Sequence, residues 1–250
     1  MIIKSRVLNE VTSKQYTIKF AKSTDEVDEA LKLRYDVFKE ELGRDFNFEE
    51  ERDKDEFDDQ AHHLIVLDNE TDRVVGTYRV QTYEQARQGN GFFSNKRFQL
   101  EQFPDHVLRN AVEVGRACVS KDHRNGRVLF LLWKGFAGYL THFKKRYLFG
   151  YSAFETEDLS VLKNAERYLK ENGHYHPEYM IDAREGYRFP DHQNENGTDE
   201  VDIPPLLQNY LDVGCKVCSR PSYDKNRLSH CIILLDLETI SDRTRKLFFG

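Results

Sequence analysis

Strand-type and helix-type periodicities alternate along almost the whole chain, and that alternation is what most restricts its fold. Tyr16, Ile18 and Phe20 fall on every second residue. Ser23 or Thr24, followed by Asp25 and Glu26, makes a helix start, after which Leu31, Tyr35, Phe38 and Leu42 recur at helical spacing up to Gly43. His63 to Leu67 and Val74 to Val80 read as strands joined by the turn Asp68-Asn69-Glu70-Thr71-Asp72. A long connection through Gly89-Asn90-Gly91 leads to the strand Ala111 to Val119, and the Asn125-Gly126 turn opens an apolar helix over Val128 to Tyr139. Strand Tyr147 to Phe154, helix Asp158 to Lys170, a polar loop around Asn194-Glu195-Asn196-Gly197 and a short helix near Leu206 to Leu211 follow. Cys215 to Tyr223 and Cys231 to Leu237 close the chain as a strand pair. A mixed sheet with helices on both faces is the economical way to bury these stripes, an α/β (α+β) architecture. No repeat or Pro/Gly-rich linker marks a boundary, so the expectation is one domain over residues 1–250, with a core of about 16–237 and a tail at each end.

Composition narrows the function classes. Hydrophobic residues at 39% and charged residues at 32% describe a solvated globular protein, and no apolar stretch is long enough to span a bilayer. Met1-Ile2-Ile3-Lys4-Ser5-Arg6 runs straight into polar residues without the apolar segment of a signal peptide, which reads as a cytoplasmic protein. A net charge of -6 makes nucleic acid a poor partner, because counterion release needs a concentrated basic face. The charge is unevenly spread. Acid is piled into Glu49 to Asp59, while Lys121, Arg124, Arg127, Lys134, Lys144, Lys145 and Arg146 gather further on. That later run is either a solvated helix face or a surface for a phosphate or an acidic carrier protein.

Four cysteines in such a chain do not form a disulfide framework. Cys215-Lys216-Val217-Cys218 has the spacing of a zinc half-site but lacks a second pair, and on a strand its two thiols face opposite ways. Core cysteines are expected, and no metal.

Three segments carry chemistry. Arg34 lies on the apolar stripe of the first helix, where a guanidinium needs either a carboxylate from Asp55-Glu56-Phe57-Asp58-Asp59 or a substrate anion. Glu113-Val114-Gly115-Arg116 sets opposite charges inside an apolar strand. On a regular strand the two side chains face apart; a bulge permitted by Gly115 brings them together, and the other reading is a buried structural ion pair. His123-Arg124-Asn125-Gly126-Arg127-Val128 opens a helix whose N-terminal N–H groups either take a phosphate or form an ordinary cap.

A strand with a Glu/Arg centre, a phosphate-type turn and a helix in this order resemble the coenzyme A-binding core of Gcn5-related N-acyltransferases. Leu33-Arg34-Tyr35-Asp36-Val37-Phe38-Lys39-Glu40-Glu41-Leu42-Gly43, Asp55-Glu56-Phe57-Asp58, Val75-Gly76-Thr77-Tyr78-Arg79 and Glu113-Val114-Gly115-Arg116 resemble the signature series of acyl-homoserine-lactone synthases. They are still more similar to their relatives that form ornithine and glycine lipids, the hemolysin-like branch, as are Leu132-Trp133-Lys134-Gly135, Tyr147-Leu148-Phe149-Gly150 and Pro204-Pro205-Leu206-Leu207. The resemblance runs from about Tyr16 to Leu237.

It implies a central, mostly antiparallel sheet flanked by helices, and an enzyme that moves a long 3-hydroxyacyl chain to the α-amine of ornithine or glycine. Glu113 and Arg116 are the implied catalytic pair, Arg34, Phe38, Asp58 and Arg79 the implied substrate-binding set, and Arg124, Asn125, Gly126 and Arg127 the implied cradle for phosphopantetheine. The usual acyltransferase turn differs where His123, Gly126 and Val128 stand here, which favours acyl carrier protein over coenzyme A as donor, with no tightly bound cofactor. Release of a lipid product implies peripheral contact at the inner membrane face. Two other readings share these positions: a lactone synthase using S-adenosylmethionine, disfavoured because no tryptophan follows Leu42-Gly43, and a non-catalytic binding module. Relatives that form lipids carry an Asn-Thr-x-Asp type turn within Asp224 to Cys231, where this chain has Leu228-Ser229-His230.

Overall fold

The structure, a computed structural model, describes residues 10–41, 43, 50–156, 158–190, 201–224 and 228–250. The Met1 to Arg6 segment, Leu42, Glu49, the Asn194-Glu195-Asn196-Gly197 loop and residues 225–227 lie outside the described residues. In chain order the strands and α-helices are β1 (Val11–Thr12), β2 (Tyr16–Phe20), α1 (Thr24–Tyr35), β3 (His62–Asp68), β4 (Arg73–Thr82), α2 (Tyr83–Gln88), α3 (Asp105–Arg109), β5 (Ala111–Val119) and α4 (Arg127–Phe143). They continue as β6 (Tyr147–Phe154), α5 (Leu159–Glu171), α6 (Pro205–Asp212), β7 (Lys216–Val217), β8 (Ser229–Asp236) and α7 (Asp242–Phe248). These elements form two compact units, the first holding the residues up to Gly91, Val112–Lys145 and Lys246–Gly250, the second Phe92–Ala111 and Arg146–Arg245.

In the first unit the strands run in the order β1-β2-β3-β4-β5, with antiparallel pairing throughout. Alternation along β3 divides its side chains between two layers. Ile65 joins Ala30, Leu33, Val37 and Phe38 from the first helix, together with Val74 and Cys118. Leu64 faces the opposite helix, α4: a Cβ on Gly135 would stand 2.5 Å from Leu64 Cδ2 and 3.0 Å from Ile18 Cδ1, so glycine is what lets α4 lie flush on β2 and β3. Helices therefore cover both faces of this sheet, as the periodicities predict.

Helix α1 starts where the sequence indicates, with the Ser23 hydroxyl accepting from the Glu26 N–H at 3.2 Å. It does not continue as one α-helix to Gly43. From Asp36 to Glu41 it widens into a π-turn, a feature concentrated at functional sites, and this turn presents Phe38.

In the second unit the strand order is β6-β8-β7, again antiparallel. The predicted strand from Cys215 to Tyr223 is much shorter than expected: the regular ladder with β8 holds only Lys216 and Val217, after which Cys218 and Ser222 each donate a backbone N–H to β8 and the Ser219 and Ser222 side chains accept from its backbone. All four cysteines are buried and reduced, and burial pushes the Cys231 thiol up to about 12, as befits core residues. Among the described residues no group of three or more His, Cys, Asp or Glu is placed to hold a metal ion, and no helix is long and apolar enough to cross a membrane.

Candidate active site

The pairing of β4 with β5 breaks at one point. Arg79 faces Gly115 and Thr77 faces Cys118, which leaves Arg116 and Ala117 together opposite Tyr78. This is a β-bulge, and it sits where opposite charges in an apolar strand called for one. Its left-handed residue is Arg116, with φ 53°, and not the glycine beside it. A side-chain-bearing residue in that conformation costs roughly 1–3 kcal/mol, so its surroundings must hold it there.

Those surroundings are three aspartates. The Arg116 guanidinium donates to Asp55 at 3.0 Å and lies 3.7 Å from Asp53, above the Phe38 ring at 5.9 Å. Arg79 also donates to Asp55, and to Asp58 at 3.1 Å. The bulge thus turns Arg116 to the face occupied by Arg79. Gln81, two residues along β4, shares that face and stands in register with Glu113. Glu113 and Arg116 consequently lie on one side of the sheet, whereas a regular strand would have separated them.

Arg34 completes the charged cluster from below. Its Nε donates to Asp53 at 2.8 Å, and its two terminal nitrogens grip Asp58 at 2.7 and 3.1 Å. With 0% exposure and three carboxylate contacts, the guanidinium pins the acidic segment to the first helix. Burial alone would raise the Asp58 carboxyl, but Arg34 and Arg79 outweigh it and hold the group far below the usual carboxylate range. Burial would likewise raise Asp55, yet Arg79 and Arg116 keep it low. His63, whose Nε2 lies 3.3 Å from the Asp58 carbonyl, is pushed down to about 4 by burial and is neutral at pH 7. Its neighbour His62, bonded to the Tyr139 hydroxyl at 2.8 Å, is driven by burial to about 3.

Glu113 is held differently. Its Oε2 accepts from the Gln81 side-chain amide at 2.5 Å, and the residue is 5% exposed. Gln81 in turn accepts from Gln60 at 2.6 Å. Neither glutamine stands out in the sequence. The available signal is positional, since Gln81 follows Arg79 at strand spacing and a polar residue on the buried face of β4 needs a partner. Asp53 also escapes a sequence reading, because only the folded chain returns it to Arg34.

The turn before α4 forms as expected. A helical turn over Lys121–His123 leads to Gly126, whose φ of 81° starts the helix, while Asn125 Oδ1 accepts from the Arg127 N–H at 3.0 Å. His123 Nδ1 lies 2.9 Å from the Tyr16 hydroxyl, tying the turn to β2. Lys121, Arg124 and Arg127 are exposed. Lys145 and Arg146, members of the same basic run, are engaged instead with Glu84 at 2.7 Å and Asp236 at 2.6 Å, respectively.

A bulged strand with a buried glutamate, leading through a glycine turn into a helix, is the arrangement of a GNAT acyltransferase, and the profile described as "Acetyltransferase (GNAT) domain" matches residues 33–134. Over longer spans the chain is 30% identical to the L-ornithine N(alpha)-acyltransferase of Rhizobium meliloti (strain 1021), across 240 residues that cover 90% of this chain and 81% of that protein. It is 28% identical to the enzyme of the same name from Rhodobacter capsulatus, across 246 residues covering 93% and 94%. The chain belongs to the L-ornithine Nα-acyltransferase family and is an acyltransferase. Solved structures share the fold: the AHL synthase LasI has a TM-score of 0.55 at 12% identity, covering 95% of this chain and 96% of its own. FeeM, an N-acyl amino acid synthase from uncultured soil microbes, has 0.51 at 10%, covering 90% and 92%.

Proposed function

We propose that this enzyme transfers a long 3-hydroxyacyl group from acyl carrier protein to the α-amine of ornithine, giving a lyso-aminolipid, with Glu113 as the base. The observation that carries this reading is the buried Glu113 carboxylate on a bulged strand, on the face where Arg116 and the aspartate cluster converge. The relatives, L-ornithine N(alpha)-acyltransferases, favour ornithine over glycine as acceptor.

An amine attacks only when neutral. Glu113, directly or through water, takes one proton from the ammonium; the nitrogen then adds to the thioester carbonyl carbon. A backbone N–H freed by the bulge polarises the carbonyl oxygen as negative charge develops on it. When the tetrahedral intermediate collapses the C–S bond breaks, the departing thiolate takes a second proton from the nitrogen, and the amide keeps the third. Glu113 returns its proton to solvent. No protein nucleophile is required, consistent with cysteines that are buried and held as thiols.

Arg116, half-buried at the edge of its cluster, is placed to take the acceptor carboxylate, while Phe38 and Arg79 shape the pocket floor and Asp58, with Arg34, holds it. On the donor side Arg124 and Arg127 flank Asn125 and Gly126, and this exposed basic turn suits the phosphate of phosphopantetheine and the acidic body of a carrier protein. Among the described residues no helix is long and apolar enough to cross a membrane, and release of a lipid product calls for peripheral contact with the membrane.

Two experiments test this. Lipids extracted from a heterologous host expressing the chain should contain a new acylated ornithine by mass spectrometry; an acylated glycine, or no new lipid, contradicts the acceptor assignment. With purified protein, acyl carrier protein should outperform the matching acyl-coenzyme A. Arg124→Glu with Arg127→Glu should then raise KM for the carrier by about tenfold while sparing kcat. A preference for coenzyme A overturns the donor assignment.

A further inference from the structure

The two amides beside Glu113 do more than fill polar space. Gln60 and Gln81 are both buried, and their hydrogen bonds form one directed chain. The Gln60 Oε1 accepts from the backbone N–H of Asn90 at 2.6 Å, and its Nε2 donates to the backbone carbonyl of Gly91 at 2.8 Å. A backbone N–H only donates and a carbonyl only accepts, so the orientation of this amide is dictated by the main chain. Its Nε2 therefore also faces Gln81 as a donor, at 2.6 Å from Gln81 Oε1. That fixes the second amide: Gln81 turns its Nε2 toward Glu113 Oε2 at 2.5 Å, with Gly91 O 3.5 Å away.

We infer that Gln81, oriented through Gln60 by the Gly89–Gly91 turn, is a positioning residue that locks the rotamer of Glu113 by donating to its Oε2. This deepens the proposed function and rests on Glu113 being the base.

A second observation ties the turn to the relay. A Cβ built on Gly89 would stand 2.1 Å from Gln60 Oε1 and 2.8 Å from its Cδ. No side chain fits there unless the Gln60 amide swings out of its place. A residue at the surface end of the relay can thus disturb Glu113 without touching substrate, because the disturbance must pass through both amides.

The test measures kcat and KM for both substrates in the full-length enzyme, with melting temperature as control. Gln81→Leu should lower kcat by about 10- to 100-fold with both KM values within about twofold, the pattern of a misplaced base. Gln81→Met serves if that variant does not fold. Gly89→Ala should lower kcat in the same way by a smaller factor, about 3- to 10-fold. In a Glu113→Gln background, Gln81→Leu should add no further loss, because groups that act as one unit are not additive. Unchanged kcat in the Gln81 variants, or the same fold-loss with and without Glu113, overturns the relay while leaving Glu113 as base. Full turnover in Glu113→Gln alone removes the base, and with it any task for the relay.

Discussion

Two polar clusters share one face of β4, and they are built on opposite principles. Around Arg79, three guanidinium groups and three carboxylates interlock, and each charge is neutralised within the cluster. Around Gln81, uncharged amides lead in single file to one carboxylate. A buried ion-pair network is rigid, and breaking it is costly because removing one member strands the others. It also holds its carboxylates far below neutrality, which makes them poor proton acceptors at pH 7. An amide donor fixes a carboxylate in space without adding a formal charge. Strength and the proposed chemistry are thus divided between neighbouring residues of one strand: the charged cluster holds the bulge and the acidic segment, and the amide chain holds the carboxylate we propose as the base.

The sharpest way to break this comparison is to remove the keystone of the charged side. Arg34→Met takes from buried Asp53 and Asp58 their shared cation, leaving only Arg116 at 3.7 Å and Arg79 at 3.1 Å beside them, and should cost about 3–5 kcal/mol. At this chain length that lowers the melting temperature by on the order of 10 °C. Arg34→Lys, which keeps the charge but not the fork, should recover only part of the loss. A variant that kept its stability but lost turnover would move Arg34 to the chemical side.

Acid should next reveal the two buried histidines, His63 beside Asp58 and His62 beside Tyr139 on the other face of the sheet. His63 and His62 have folded values near 4 and 3, below the unfolded value of about 6.5, so the unfolded chain binds more protons as pH falls. Their contribution is fully present above pH 6.5 and is lost as pH falls toward 4, on the order of a few kcal/mol. Asp58 adds nothing to that window: its depressed value gives stability above the unfolded carboxylate range near 3.9, which is lost only in stronger acid. Urea midpoints measured between pH 7.5 and about pH 4.5 should fall steadily below pH 6.5; a flat profile down to about pH 4.5 contradicts the buried neutral histidines.

The smallest of these effects lies where the charged cluster meets the bulge. Asp55→Asn weakens one anchor of Arg116 and one of Arg79 and should cost about 1–2 kcal/mol. Because Arg116 is held in a left-handed conformation, the same change should loosen the bulge, visible as faster amide exchange at Arg116 and Ala117 than elsewhere in β5. Exchange that stays uniform along the strand would show that the aspartate does not hold the bulge.

Much of this arrangement is legible in the residues alone, for identifiable reasons. Tyr16–Phe20, Ala111–Val119 and Tyr147–Phe154 form strands at the predicted bounds because strand-spaced or densely packed apolar and aromatic residues leave few alternatives. The bulge is legible from charge in an apolar strand, although its strain falls on Arg116 where Gly115 is the natural guess. The short helices α2, α3 and α7 are not, since a few residues carry too little periodicity to read. Cys215 to Tyr223 has strand composition, yet its later part is held by isolated backbone bonds and serine side chains and not by a continuous ladder. The Gln60-Gln81-Glu113 chain joins residues distant in sequence through neutral side chains, and no local pattern announces it.

The central claim is that Glu113 supplies the base. Single-turnover transfer from acyl carrier protein to ornithine, compared between the native enzyme and Glu113→Gln, tests it most directly. The replacement keeps size and burial while removing the basic oxygen, so the transfer rate should fall by about 10²- to 10⁴-fold with the melting temperature and acceptor affinity preserved. A variant that transfers the acyl group at the native rate would contradict the claim.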